Sequence, residues 1–351
     1  MALVRRLPNA VTPWKMQVPD MGTHMRVDRL ADPKSSSAEF CNPQDVSWAP
    51  EWLARHFGAE RLRKPRKAPA SLKLGVIGPL EVKLACHKSD VRRLQRLRYH
   101  VFYKHGRAVA DIATRFTRRD KDSFDSICDH LMVVDHSARP LTIGRSPVIG
   151  TYRLLRQDMA EKHGGFYSAE EFDISGLLGR QAGSRFLELG RSCVLPGYRT
   201  KRTIELLWRG VWSYVQEQHV DVMIGCASFE GTDISRLARP LSFLHHFARA
   251  PDAWCAAAHS LRRVEMNRMP KKEIDVKAAW HELPPLIKGY LRVGAFVGDG
   301  AVIDAKFGTT DVLIIMPVSL ISARYIDRFG MDTKRHAGQW DHVRCQARLV
   351  S

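Results

Sequence analysis

From Leu72 onward, short apolar runs of strand length alternate with segments of helical period, and this alternation confines the chain to layered α/β or α+β folds. Leu80, Val82 and Leu84 alternate with polar residues as in a half-buried strand. Residues 130–134 and 147–155 read as two further strands, parted by the turn-like ARPLTIGRS. Residues 185–195, 222–227 and 312–316 complete the strand set. A helix is predicted over 90–102, with Ser89 as its N-cap. A longer one over 203–216 carries Ile204, Leu207, Trp208, Val211, Trp212 and Val215 on one side. Residues 233–248 and 286–293 also look helical, and there is no internal repeat.

Residues 1–72 differ from the rest. The first 70 hold 8 of the 18 prolines and show no sustained periodicity, which reads as a weakly structured basic extension. Within it, 52–66 could form a short basic amphipathic helix against a membrane surface, or a solvated linker. The folded part is expected over 73–330, with 331–351 as a tail. The longest apolar stretch, 312–321, contains a proline and falls far short of the ~20 residues a spanning helix needs. Seven cysteines without a CxxC pair suggest neither a disulfide framework nor a zinc site. With no apolar signal segment behind Arg5 and Arg6, a cytoplasmic location is expected. Lys plus Arg outnumber Asp plus Glu by 55 to 37, a net +18 that calls for an anionic partner: nucleic acid, an anionic membrane face or an acidic protein.

Several charges do not fit a bland core. In the 90–102 helix, Arg98 lies close to the apolar face of Val91, Leu94, Leu97 and Val101, so it either meets an acid or an anionic ligand, or snorkels to water. Asp120, Asp122, Asp125 and Asp129 crowd ten residues before a strand; they could hold an ammonium group or a metal, or cap a loop. The strand RFLELGRSCVL carries Glu188 and Arg191, which strict alternation puts on opposite faces; a bulge at Gly190 would bring them together. It runs into Arg199-Thr200-Lys201-Arg202-Thr203 ahead of a helix, a strand–basic turn–helix arrangement suited to anions.

That turn, Arg199-x-x-Arg202-x-Ile204, resembles the pyrophosphate-binding R/Q-x-x-G-x-G/A element of GNAT-fold acyltransferases, with both glycine positions altered. Arg98, Phe102, Asp122 with Asp125, Arg153, and Glu188 with Arg191 follow the order and spacing of the charged signature of acyl-homoserine-lactone synthases. Over about residues 73 to 330, the segments DHLMVVD, VIGTYRLL, LELGRSCV, GCASFEGTD, LSFLHHFA, PPLIKGYLRVGA and FGTTDVLIIMPV resemble the bacterial ornithine N-acyltransferases of ornithine-lipid synthesis, also labelled hemolysin-like. The resemblance implies a GNAT-like fold: a twisted mixed sheet splayed at 185–195, flanked by helices, with a C-terminal helical addition. It implies transfer of a 3-hydroxy fatty acyl chain from acyl carrier protein to the α-amine of L-ornithine, giving lyso-ornithine lipid, with no bound cofactor and no metal.

Such chemistry needs a proton acceptor, dipoles on the oxyanion and placement of the amine. Glu188 is the candidate base, directly or through water, with Arg191 beside it. Asp122 and Asp125 are candidates for the ammonium; Arg98, Arg153 or Arg191 for the carboxylate; and Phe102, from the resembling signature, is a further substrate-binding candidate. Several of these could equally form the frame that holds the others. Arg199, Lys201, Arg202 and Thr203 are candidates for the donor pantetheine and its acidic carrier. The 88–121 segment adds 11 Lys plus Arg against 3 Asp, a surface that would also draw anionic lipid. Cys193 would allow an acyl-cysteine route, but buried strand cysteines are commonly inert. His245 and His246 fit neither HxxxxD nor HHxxxD, because Ala250 and Pro251 stand where the aspartate would be. Rival readings are an acyltransferase with another amino acid acceptor, an acyl-homoserine-lactone-type synthase, a basic nucleic-acid-binding protein and a lytic membrane protein. The last two lack any matching motif.

Overall fold

A computed structural model describes residues 73–138, 146–321 and 325. The expected extension 1–72, its 52–66 helix and the 331–351 tail lie outside the described residues. In chain order the elements are β1 (Lys73–Ile77), β2 (Leu80–Leu84), α1 (Lys88–Tyr99), α2 (Ile112–Thr117), β3 (Asp129–Asp135), β4 (Val148–Arg156) and α3 (Gln157–Lys162). There follow β5 (Phe172–Asp173), α4 (Ser175–Arg180), β6 (Phe186–Val194), α5 (Lys201–Glu217), β7 (Val222–Glu230), α6 (Ala238–Phe247), β8 (Ala257–Ala258) and β9 (Arg263–Val264). The last are α7 (Val276–Glu282), α8 (Pro285–Arg292), β10 (Phe296–Asp304) and β11 (Thr309–Pro317).

The strands form one mixed sheet in the order β1-β2-β3-β4-β6-β7-β11-β10-β8-β5, with β9 also on β10. Alternation sends side chains to two faces. On one, Leu131, Val133 and Leu187 pack against Leu206, Leu207, Val211, Tyr214 and Val215 of α5 and against α6 and α8. Each of the fully buried leucines there contributes about 1.5–3 kcal/mol. Gly210 lets α5 close on the sheet, since a Cβ there would lie 2.8 Å from Val82 Cγ2. On the other face, Phe186, Val222, Ile224 and Leu313 meet Phe166, Phe172, Ile174 and Leu177, while α1 covers Met132 and Val134.

The structure departs from the expected elements at four places. Ser89 is not the cap of α1: the helix starts two residues earlier, at Lys88, with His87 in the cap position and no side-chain bond. The predicted helix also changes pitch at His100–Lys104, a π turn that re-aims Phe102 and Tyr103. In α5, Ile204 stays exposed, and Leu206 and Tyr214 take the inward places. Strand β10 has no counterpart in the sequence reading, because Gly298, Asp299 and Gly300 interrupt its apolar pattern.

The expected bulge and splay are both present in β6. Between the pairs Thr151↔Cys193 and Arg153↔Gly190, one residue of β4 faces two of β6. The extra residue is accommodated at Arg191, whose φ of 47° is left-handed. Parallel pairing of β6 with β7 covers only Phe186↔Val222, Leu187↔Met223 and Glu188↔Ile224. Glu188 therefore stands where the two strands part.

Candidate active site

Arg98 is fully buried, with Nε on Asp120 Oδ2 at 2.8 Å and Nη2 on both Asp125 oxygens at 2.8 Å and on the Asp120 carbonyl. The inward alternative is the correct one, and the partners are acids. Arg153, from β4, donates Nη1 to Asp122 Oδ1 at 2.6 Å and lies 3.4 Å from Asp125 Oδ1. Arg191, turned by the bulge, reaches Asp122 Oδ2 at 3.2 Å and pairs with Asp120 Oδ2 at 3.4 Å. Its guanidinium is held between the rings of Tyr167 and Phe307, 4.8 and 4.6 Å from their centroids. Phe102 does not touch the ion pairs; it packs edge-on against Phe307 at 5.6 Å.

Three arginines and three aspartates thus close a nearly neutral network. Burial pushes Asp125 up, but Arg98 and Arg153 outweigh it and hold the carboxyl down at about 2. The same balance, with Arg153 and Arg191, depresses Asp122. Gln95 and Tyr103 finish the network, donating to Asp125 Oδ2 at 2.9 Å and Asp120 Oδ1 at 3.1 Å. Sequence reasoning named neither of them. In the sequence, Asp120 is one acid of a cluster, and nothing local marks it as the partner of Arg98 and Tyr103.

Glu188 is 4% exposed and accepts the amides of Tyr167 at 2.8 Å and Ser168 at 2.7 Å. Burial raises its pKa; those amides and Arg153 only partly oppose the shift. Glu188 and Arg153 both line one small cavity, together with Phe124, Cys128, Leu155, Tyr167 and Gly190. Glu188, Arg153 and the Asp122–Asp125 loop consequently share one environment.

The basic turn is a distinct feature. Thr200 caps α5 by accepting the Thr203 amide at 3.3 Å. Thr203 is fully buried with its hydroxyl 3.1 Å from that of Thr200, so its side chain faces the protein and not a donor. Arg199, Lys201 and Arg202 are exposed.

Cys193 packs with Leu97 and Val101, and burial pushes its thiol up to about 12. A thiolate nucleophile is therefore scarce at neutral pH. Cys193→Ala is expected to keep turnover within a few-fold of wild type in a steady-state assay; loss of all turnover would restore the covalent route. His245 and His246 lie on α6, where His246 meets the Met269 carbonyl at 3.1 Å, and neither contacts the ion-pair network.

A mixed sheet that parts beside a bulged strand is the arrangement expected of a GNAT-type fold. The acetyltransferase (GNAT) domain family matches residues 97–209. The L-ornithine N(alpha)-acyltransferase of Rhizobium meliloti (strain 1021) is 51% identical over 275 residues, 78% of this chain and 92% of the relative. That of Brucella abortus (strain 2308) is 50% identical over 262 residues, 75% of this chain and 92% of the relative. The chain belongs to the L-ornithine N(alpha)-acyltransferase family. Among solved structures, the AHL synthase LasI aligns over 72% of this chain and 95% of its own, with 11% identity and a TM-score of 0.37.

Proposed function

We propose that this chain transfers a 3-hydroxy fatty acyl group from acyl carrier protein to the α-amine of L-ornithine, making lyso-ornithine lipid. The observation that carries the reading is the half-identity to L-ornithine N(alpha)-acyltransferases across nearly their full length. The site supplies a matching chemistry. An α-ammonium must lose a proton before it attacks a thioester carbon, and Glu188, a carboxylate of raised basicity, is the acceptor. The nitrogen–carbon bond forms as the carbon–sulfur bond breaks, and the thiolate of the carrier leaves and is protonated. The bulge leaves Arg191 and Ser192 without register partners on β4, which supports a role for amides there in polarising the carbonyl. Arg98, Arg153, Asp122 and Asp125 hold one another, so their main role is to fix Arg191 and the cavity wall.

Two features support the partners. The glycine positions of the phosphate turn are Arg202 and Ile204, and Arg199, Lys201 and Arg202 face solvent, a surface suited to an acidic carrier protein. In α2, Ile112 and Phe116 are 89% and 90% exposed, four residues apart on one face, with Arg115 and Arg118 exposed beside them. That patch suits a peripheral contact with an anionic membrane. Among the described residues no helix is long and apolar enough to cross one.

The function is tested by incubating purified protein with 3-hydroxyacyl-carrier protein and individual amino acids. Acyl-ornithine, identified by mass spectrometry, is the expected product; a preference for glycine or tyrosine removes the acceptor assignment. For the membrane contact, the Ile112→Asp/Phe116→Asp pair is expected to weaken sedimentation with phosphatidylglycerol vesicles by roughly tenfold or more. Undiminished binding would exclude that patch.

A further inference from the structure

The ion-pair network consumes Asp122 and Asp125, yet a second group of acids on the same face of the sheet is short of cations. Glu171, Asp304 and Asp311 each offer a carboxylate oxygen, all within 4.8 Å of one another. They come from two distant segments: Glu171 directly follows the Tyr167–Glu170 turn, while Asp304 at the end of β10 and Asp311 in β11 belong to one hairpin. Asp311 is 6% exposed, in a strand otherwise filled by apolar residues, and its Oδ1 is shut off from solvent with no hydrogen-bond donor. A buried carboxylate oxygen without a donor is costly. Burial pushes Asp311 up to about 6, with the charge of Asp304 adding to it, although the Ser228 and Thr309 hydroxyls and the charge of Arg191 pull the other way. Burial, with Asp311 beside it, pushes Glu171 up to about 7. The one arginine on Glu171, Arg262 at 3.4 Å, is itself 41% exposed.

This group adjoins Glu188. The turn whose amides hold Glu188 runs directly into Glu171. Glu188 pairs with Ile224 on β7, and Asp311 with Ser228 on the same strand, so Ile224, Cys226 and Ser228 lead from one carboxylate to the other along one face. Cys226, between them, donates to Glu171 Oε2 at 3.4 Å and feels Glu171, Asp311 and Glu188 together.

We propose that Glu171, Asp304 and Asp311 form a primary-ammonium subsite that takes the side-chain amine of the acceptor while its α-amine faces Glu188. The proposal rests on the ornithine reading above and assigns the residues that recognise the second amine. An ammonium has three N–H donors and no need of a coordination shell, matching three converging carboxylates. A divalent cation fits less well. It wants six or more oxygens, and here Asp304 Oδ1 already accepts the Lys306 and Phe307 amides at 2.8 and 3.0 Å, while both Glu171 oxygens have donors.

The test compares ornithine with norvaline, which has the same chain without the terminal amine. Full-length wild type, Asp311→Asn and Glu171→Gln are assayed for kcat and KM with 3-hydroxyacyl-carrier protein, and for binding of each amino acid by calorimetry. Wild type is expected to favour ornithine, and either variant to cut the ornithine-over-norvaline ratio in kcat/KM and in affinity by ~10-fold or more, the worth of a charge-assisted hydrogen bond. A ratio that stays put, even if both activities drop together, refutes the subsite, because a merely structural role affects both substrates alike. Tight binding of Mn²⁺ alone that Asp311→Asn abolishes, with loss of activity in a chelator, also refutes it in favour of a metal. Ornithine-selective binding through Asp311 without acyl transfer would sink the enzymatic reading and keep the subsite. Acyl-ornithine formation with an undiminished preference in both variants would do the reverse.

Discussion

Arg98→Met is expected to cost the protein about 3–5 kcal/mol, a large part of the roughly 5–15 kcal/mol that holds a typical domain folded. The guanidinium is fully buried and binds Asp120 and Asp125 with four short hydrogen bonds. A methionine of similar length fills the space but leaves three aspartates facing two arginines, so one buried negative charge is uncompensated. The penalty is that of uncompensated charge, not of lost packing. Arg98→Lys keeps the charge but cannot bridge both acids with a planar fork, so an intermediate loss is expected. Adding Asp125→Asn to Arg98→Met removes one stranded charge and should recover part of the loss. Urea denaturation of the variants checks this, and a wild-type midpoint for Arg98→Met would show that the pairs contribute nothing to stability. The same pairs set an acid limit. Asp125 is depressed from 3.8 to about 2, so its contribution is complete above about pH 4 and is lost as pH falls through about 2.

Arg98 illustrates how far the chain could be read before its structure was known. A charge on the apolar side of a helix has few outlets, so an inward, acid-paired arginine was one of two open alternatives. The bulge in β6 was legible for a similar reason. Glu188 and Arg191 cannot share a face in a regular strand, and only an irregularity reconciles two charges with a buried environment. The acids that meet Arg98 were visible as a cluster, but which arginine each would take depends on how the 120–126 loop folds back over α1, a long-range matter. Three features escaped. Strand β10 is broken by glycines and an aspartate, and its pairing with β11 is set by tertiary contact. The pitch change at His100–Lys104 has no local marker. Glu171 lies more than a hundred residues before Asp304 and Asp311, although an aspartate inside the run TTDVLIIMP carries the same signal that drew attention to Glu188.

Glu188→Gln is expected to reduce kcat by ~10²–10⁴-fold, the range for loss of a positioned general base, with a much smaller change in the KM for ornithine. Glutamine keeps the size of the side chain but has almost no basicity. Its NH₂ group must also face either the Tyr167 or the Ser168 amide, donor against donor, where the carboxylate accepts both. A loss of about 1–3 kcal/mol in stability should accompany the kinetic effect. The two consequences are separable. A variant that only loosens the 167–170 turn would bind ornithine poorly and keep the wild-type pH profile. A variant that loses its base would bind ornithine nearly normally and lose the acidic limb of the profile. The sign follows from burial: because it raises the pKa of Glu188, wild-type activity should fall as pH drops through a value above the ordinary 4.5. In Glu188→Gln that limb should vanish, leaving only the ionisation of the substrate amine. Turnover at the wild-type rate in Glu188→Gln would exclude Glu188 as the base and leave it with the task of holding the turn that carries Tyr167 and Glu171.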